Sequence, residues 1–260
     1  MEESWQSGDP YEYYMGRWSK FVAELFVDWL SLPTGLSWID IGCGSGALSE
    51  AVITKNNPDE LIAIDQSENF VSTAQQRLGN QAKCKVGNAL SLPLDDASAN
   101  VTVSGLVLNF LPEPAKALAE MKRVTKKGGT VAVYIWDYAG RMELLKYFWD
   151  TAVQLNPNAF SLHESHRFSE ANAEELSTAF KRAGFAEVET APIEVTTTFS
   201  NFNDYWKPFL GGQGPAPTYV LKLEDTARNH LRDALAQRLP IKEDGSIPLI
   251  ARAWAAKGLA

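Results

Sequence analysis

Nine residues, Trp38-Ile39-Asp40-Ile41-Gly42-Cys43-Gly44-Ser45-Gly46, constrain the fold of this chain more than any other stretch. Residues of β-type character run into three alternate glycines, and a helix-forming segment starts at Ala47. The spacing predicts a buried strand, a tight glycine loop and a helix N-terminus, the opening unit of an α/β sheet. A backbone without Cβ reaches positive φ and lets a ligand approach closely. The N–H groups of the following helix offer an anion site.

Two ligand classes use such a loop. Gly42-Cys43-Gly44-Ser45-Gly46-Ala47 satisfies the dinucleotide pattern G-x-G-x-x-G/A. The same letters satisfy hydrophobic-Asp-hydrophobic-Gly-x-Gly-x-Gly, which resembles the first motif of class I S-adenosylmethionine-dependent methyltransferases. Asp40 favours the second reading. A carboxylate two residues before the first glycine would repel a pyrophosphate, whereas it suits the cationic amino-acid end of S-adenosylmethionine.

The 260 residues suffice for one large α/β domain with additions or for two small ones, and a hydrophobic content of 45% supports a substantial core. A formal charge of −8 and a pI near 5.0 argue against a broad nucleic-acid footprint. Met1-Glu2-Glu3-Ser4 lacks the basic and apolar regions of a secretory signal, and no apolar run reaches membrane-spanning length. Cys43 and Cys84 make neither a disulfide framework nor a zinc site, so cytoplasmic residence is expected.

Before the first strand, Trp5, Tyr11, Tyr13, Tyr14, Arg17 and Trp18 make an aromatic opening that either caps the core or covers the loop, with Arg17 facing an anionic group. A first helix follows and stops near Pro33 and Gly35. Leu61-Ile62-Ala63-Ile64-Asp65 reads as a buried parallel strand ending in an acid. That is where a ribose diol binds, because a carboxylate accepts from two neighbouring hydroxyls. Ser67 caps the next helix. The third strand covers Cys84 to Gly87, and Asn88 at its end could bond an adenine edge. Ala99 to Ser104 is the fourth strand, Pro112 to Lys126 a helix ended by Gly128-Gly129, and Thr130 to Trp136 the fifth strand. Lys122-Arg123 and Lys126-Lys127 read as the solvated end of that helix.

Gly87-Asn88-Ala89, Leu92-Pro93-Leu94, Val101 to Ser104, and Glu120 to Val124 running into Gly128-Gly129 follow the loop in order. Together they resemble the methyltransferase superfamily that includes ubiquinone/menaquinone C-methyltransferases, over about residues 36 to 136. Asn109-Phe110 and Lys127 depart from the His-His and Pro of many relatives, so the quinone enzymes' substrate chemistry does not carry over.

The resemblance implies a Rossmann-like, doubly wound, mainly parallel seven-stranded sheet with helices on both faces, strand order 3-2-1-4-5-7-6, and an antiparallel last strand. It also implies S-adenosylmethionine as methyl donor and S-adenosylhomocysteine as product. Asp40, Gly42, Gly44 and Gly46 would hold the methionine end with Arg17, Asp65 and Gln66 the ribose side, Asn88 and Ala89 the adenine, and Ser104 and Leu106 the site wall. Tyr14, Asn109, Trp136, Tyr138 and Trp206 would line an acceptor pocket.

Past the fifth strand, Leu145, Phe148, Trp149 and Ala152 mark an inserted helix. Asn172 caps a helix stopped by Gly184, Val188 to Phe199 is strand-like, and Val220 to Leu235 reads as one long amphipathic helix. Ile247 to Lys257 is the last strand.

The organisation expected is a single domain over 1–260. It comprises a helical cover at 1–35, a cofactor-binding core at 36–139, and a C-terminal part at 140–260 with substrate-side insertions around 140–168 and 200–217. His163 and His166 have no evident third metal ligand. Asn109-Phe110-Leu111-Pro112 fails the Asn/Asp-Pro-Pro-aromatic motif of nucleic-acid amino-methyltransferases, and no residue stands out as a general base. The expected partner is a small-molecule methyl acceptor, apolar or aromatic, with no nucleic acid and no membrane insertion. A nicotinamide-dependent oxidoreductase, which here would lack a Tyr-x-x-x-Lys proton donor, and a catalytically silent binding protein stay open as alternatives.

Overall fold

The computed structural model describes residues 16–211 and 214–260. Seven strands form one sheet: β1 (Ser37–Ile41), β2 (Glu60–Asp65), β3 (Lys83–Val86), β4 (Ala99–Gly105), β5 (Thr125–Trp136), β6 (Ala186–Phe199) and β7 (Ile247–Leu259). The helices around it are α1 (Arg17–Leu30), α2 (Ala47–Asn56), α3 (Glu68–Leu78), α4 (Pro114–Val124), α5 (Glu143–Leu155), α6 (Glu164–Arg167), α7 (Ala173–Arg182), α8 (Phe202–Trp206), α9 (Pro215–Leu221) and α10 (Asp225–Arg238). None of the described helices is long and apolar enough to cross a membrane.

The sheet order is β3-β2-β1-β4-β5-β7-β6, as expected, with β1 parallel to β2 and β4, and β7 antiparallel to β5. The winding reverses between β1 and β4, so Asp40 lies in register with Ala63 on one side and Val103 on the other. Ligands of open α/β sheets bind beyond the strand C-termini at that reversal.

The chain folds into two compact units. The first comprises Ser19–Trp136, Ala171–Ile193 and Ala253–Ala260. Its core is the central strands, where Trp38, Ile39, Ile41, Val101, Val103 and Val131 to Trp136 are buried. Burial on both faces of a parallel strand is why these runs are continuously apolar rather than alternating. The second unit holds, of the described residues, 16–18, Asp137–Glu170 and Glu194–Arg252, and thus takes in both expected insertions. Phe148 stacks on Phe209 with ring centroids 4.5 Å apart, and Tyr205 beside Phe209 is fully buried with its hydroxyl donating to the Leu144 carbonyl at 3.0 Å.

Two expected elements change. The helix expected to reach Lys126 stops at Val124, and β5 begins at Thr125, which pairs with Ala99 ahead of a register shift to Val101↔Thr130. Thr125 Oγ1 shares a 2.6 Å hydrogen bond with Thr102 across the sheet and donates to the Met121 carbonyl at 2.7 Å, so this residue terminates the helix and starts the strand. The long helix over 220–235 is broken at residues 222–224 into α9 and α10. Arg228 donates to the Val220 and Leu223 carbonyls, capturing oxygens that a continuous helix would have bonded internally.

Candidate cofactor site

All of the geometry around the glycine loop lies within the first unit. Strand alternation sets Asp40 opposite to Ile39 and Ile41, and all three are buried. Asp40 Oδ2 accepts from Ser49 Oγ of α2 at 2.6 Å, while Oδ1 has no partner among the described residues. Burial pushes its pKa from 3.8 up to about 7; the Ser49 hydrogen bond opposes this, and the charge of Asp65 adds to it. A buried carboxylate with one bare oxygen is costly, and a cation set against Oδ1 would compensate it.

The loop is bound to the end of β2. Gly42 and Cys43 both donate their N–H groups to the Ile64 carbonyl, at 2.7 and 3.0 Å. Gly42 has φ +72°, and a Cβ there would lie 2.4 Å from Val107 Cγ2, because the turn after β4 presses onto it. Gly44 has φ +52°, and a Cβ there would meet nothing within 4 Å. Gly42 is therefore required by packing, whereas Gly44 borders open space. Gly46 packs towards Leu78 and Ala74 of α3.

Asp65 joins two backbones: its Oδ2 accepts from Gly44 N–H at 3.0 Å and its Oδ1 from Ser67 N–H at 2.9 Å. Each carboxylate oxygen has a further lone pair, so the residue can still accept from a diol. Gln66 beside it is exposed, and Ser67 caps α3 by accepting from Phe70 N–H.

Asn88 is exposed, and its Oδ1 accepts from Leu90 N–H at 2.8 Å. Ser91 N–H closes the turn on the Asn88 carbonyl at 3.0 Å, and Ala89 is half-buried within it. One lone pair of the side-chain oxygen is thus used by the turn, which leaves the amide NH2 to donate to a ring nitrogen and the second lone pair to accept.

Ser104 is buried and donates its hydroxyl to the Ile41 carbonyl at 2.7 Å, so it ties β4 to β1. Leu106 has φ +62°, a conformation that costs a residue with Cβ about 1–2 kcal/mol, and its N–H donates to the Tyr134 carbonyl at 2.8 Å. That strained turn carries Val107 onto Gly42. Both amide atoms of Asn109 are buried without a partner among the described residues.

Trp136 is buried at the end of β5 in the first unit. In the second unit, Tyr138 lies 4.8 Å from the Phe168 ring and Trp206 is buried 6.0 Å from Phe209, measured between centroids. Tyr14 and the side chain of Arg17 lie outside the described residues.

The structure thus gathers Asp40, Gly42, Gly44, Asp65 and the turn at Leu106 in one place. It adds Ser49 and Val107, which the sequence reading missed, while Glu120 and Arg123 hold the Leu92–Asp96 segment. A serine on the otherwise apolar face of α2, among Leu48, Ala51 and Val52, was the available signal for Ser49. Arg123 is not a solvated helix end: it donates to the Leu92 and Leu94 carbonyls, Glu120 and Asp96. Lys122 likewise caps the Ala183 and Gly184 carbonyls.

These residues fit S-adenosylmethionine. Asp40 Oδ1 is an unpartnered carboxyl oxygen that an ammonium group would hold ionised, Gly44 leaves space above the backbone, and Asp65 retains acceptor capacity for a ribose.

Residues 39–133 match the family model described as Methyltransferase domain. The chain is 26% identical over 176 residues to the demethylmenaquinone methyltransferase of Staphylococcus carnosus, covering 62% of this chain and 72% of that one. It is 32% identical over 112 residues to a 37.1 kDa protein of a Streptomyces fradiae transposon, spanning 42% of this chain and only 32% of that protein. Among solved structures, a phosphoethanolamine N-methyltransferase 2 of Haemonchus contortus in complex with S-adenosyl-L-methionine superposes with a TM-score of 0.59 at 15% identity, covering 96% of this chain and 56% of that one. At that identity the likeness establishes the fold.

Proposed function

We propose that this chain, whose residues 39–133 match a methyltransferase domain, is a class I S-adenosylmethionine-dependent methyltransferase, and that it transfers the methyl group of that cofactor to a small-molecule acceptor of apolar or aromatic character. The observation that carries the reading is the buried Asp40 carboxylate with its unpartnered Oδ1 beside the open glycine loop. A pyrophosphate would be repelled there; the α-ammonium of the methionine moiety is attracted.

The bound cofactor supplies an already activated methyl sulfonium, so the chain's own task is to align donor and acceptor and to keep water away. In this reading Asp40, with the glycines, holds the methionine amino group, and Arg17 at the start of α1 pairs its carboxylate. Asp65 and Gln66 take the ribose side, and Asn88 and Ala89 the adenine. The unpartnered Asn109 amide, on the turn after β4, would reach the acceptor or an ordered water. Aromatic-rich segments at 140–168 and 200–217 support an apolar or aromatic acceptor.

Calorimetry should show binding of S-adenosylhomocysteine and no comparable affinity for NAD or NADP. Incubation with methyl-labelled cofactor and a metabolite extract, followed by mass spectrometry, should yield a labelled small molecule. Tighter nicotinamide binding would overturn the cofactor assignment. Cofactor binding with no turnover on any extract fraction would overturn the enzymatic one.

A further inference from the structure

The cofactor site described above uses Asn88 and Ala89, which stand on an exposed turn between β3 and β4 rather than on a strand. The segment that follows that turn, Leu92 to Asp96, is held by a pair of side chains on α4. Arg123 donates from Nη2 to the Leu92 carbonyl at 3.1 Å and from Nη1 to the Leu94 carbonyl at 2.9 Å and to Asp96 Oδ1 at 2.7 Å. Glu120 receives Nε and Nη2 of the same guanidinium at 2.7 and 2.8 Å, and its Oε2 also accepts from Leu92 N–H at 2.7 Å. The peptide groups of Leu92 are therefore held on both sides by one planar ion pair. Between those anchors Pro93 is pressed onto Gly87, where an added Cβ would lie 3.0 Å from the proline ring. Residues 88–91 then bridge from this contact through the closed Asn88-to-Ser91 turn. Asn88 has its oxygen fixed inside that turn, so its NH2 direction is set by the turn itself.

We infer that Glu120 and Arg123 are positioning residues for base recognition: their ion pair holds the Leu92–Leu94 backbone so that the Asn88 turn presents its amide NH2 to the adenine of the cofactor. The inference rests on the cofactor reading above and adds residues more than thirty positions along the chain that touch no ligand. A planar fork that bonds two carbonyls and two carboxylates at once is a task for arginine; lysine keeps the charge and loses the geometry.

The test compares S-adenosylhomocysteine with S-inosylhomocysteine, in which ring atom N1 changes from an acceptor to a donor, by calorimetry on wild type, Arg123→Gln, Arg123→Lys and Glu120→Gln. Near-UV circular dichroism and Tm report folding in parallel. Wild type should prefer the adenine ligand, and Arg123→Gln and Glu120→Gln should lose about tenfold of that preference, equivalent to one or two hydrogen bonds. Arg123→Lys should fall between, and it and Glu120→Gln carry the test if Arg123→Gln does not fold. A purely structural role would lower Tm and the competent fraction while leaving the preference of the folded protein intact, and that result overturns the inference. Equal wild-type affinity for both ligands overturns it too. Absence of any wild-type binding of S-adenosylhomocysteine would overturn the cofactor reading with it, which separates the two failures.

Discussion

Replacing Asp40 with asparagine should make the protein more stable and a worse cofactor binder. The carboxylate is wholly buried, has one hydrogen bond, and has a pKa pushed from 3.8 up to about 7 mainly by burial. In the unfolded chain it ionises near its ordinary value, so between those two pH values the folded protein holds a proton that the unfolded chain has released. The contribution of Asp40 to wild-type stability therefore falls as pH rises through that window and levels off above it. The gap between the two pKa values corresponds to about 4 kcal/mol at the plateau. Asparagine does not titrate. It keeps an acceptor for Ser49 but puts an NH2 where Oδ1 lacked a partner, which returns about 1–3 kcal/mol of that gain. Urea unfolding of wild type and Asp40→Asn from pH 4 to pH 8.5 should thus give a difference in favour of the variant that grows by about 4 kcal/mol with pH. The other groups cancel in the difference. Calorimetry on the same variant should show S-adenosylhomocysteine binding weakened by about 2–3 kcal/mol through loss of a charge-assisted contact. A stability difference independent of pH would refute the buried, ionising carboxylate. Undiminished affinity would refute its role at the ammonium group.

For wild type, S-adenosylhomocysteine affinity should fall about tenfold from pH 8 to pH 6, because a cation at Oδ1 favours ionised Asp40 and a proton must leave first; a flat profile by calorimetry contradicts this. Asp65→Asn should cost about 2–4 kcal/mol of the same binding, while circular dichroism shows the fold kept; unchanged affinity removes the carboxylate from the site. Arg17→Ala should weaken S-adenosylmethionine more than its decarboxylated analogue, and equal losses would exclude carboxylate pairing. Trp206 is buried beside Phe209, so Trp206→Ala should lower unfolding stability by about 3–5 kcal/mol without changing S-adenosylhomocysteine affinity per folded molecule; turnover that falls only with the folded fraction removes it from the acceptor site.

Local signals were legible wherever one residue's own chemistry decided the outcome. The strand into the glycine loop, the Ser67 and Asn172 caps and the stop at Gly184 follow from steric freedom and short-range hydrogen bonds, and each stands where the letters place it. Motif spacing carried the strand order through resemblance, and with it the position of Asp40 at the winding reversal. Decisions between segments distant in the chain were not legible. Thr125 belongs to a strand because Thr102 faces it across the sheet, although helix propensity extends to Lys126. Arg228 breaks a periodic apolar pattern by taking carbonyls that precede it. Gly42 is demanded by Val107, more than sixty residues later, whatever its part at the ligand, while Arg123 looks like a solvated cation and is spent on the Leu92 and Leu94 backbone. For Arg228 the deciding carbonyls lie only five and eight residues before it, but a periodic apolar pattern gives no sign of them; in the other cases the partner is distant in the chain and is brought close by the folded sheet. Periodicity and propensity describe what a segment can become on its own; a hydrogen bond or steric contact worth about 1 kcal/mol from a distant neighbour is enough to choose between such states.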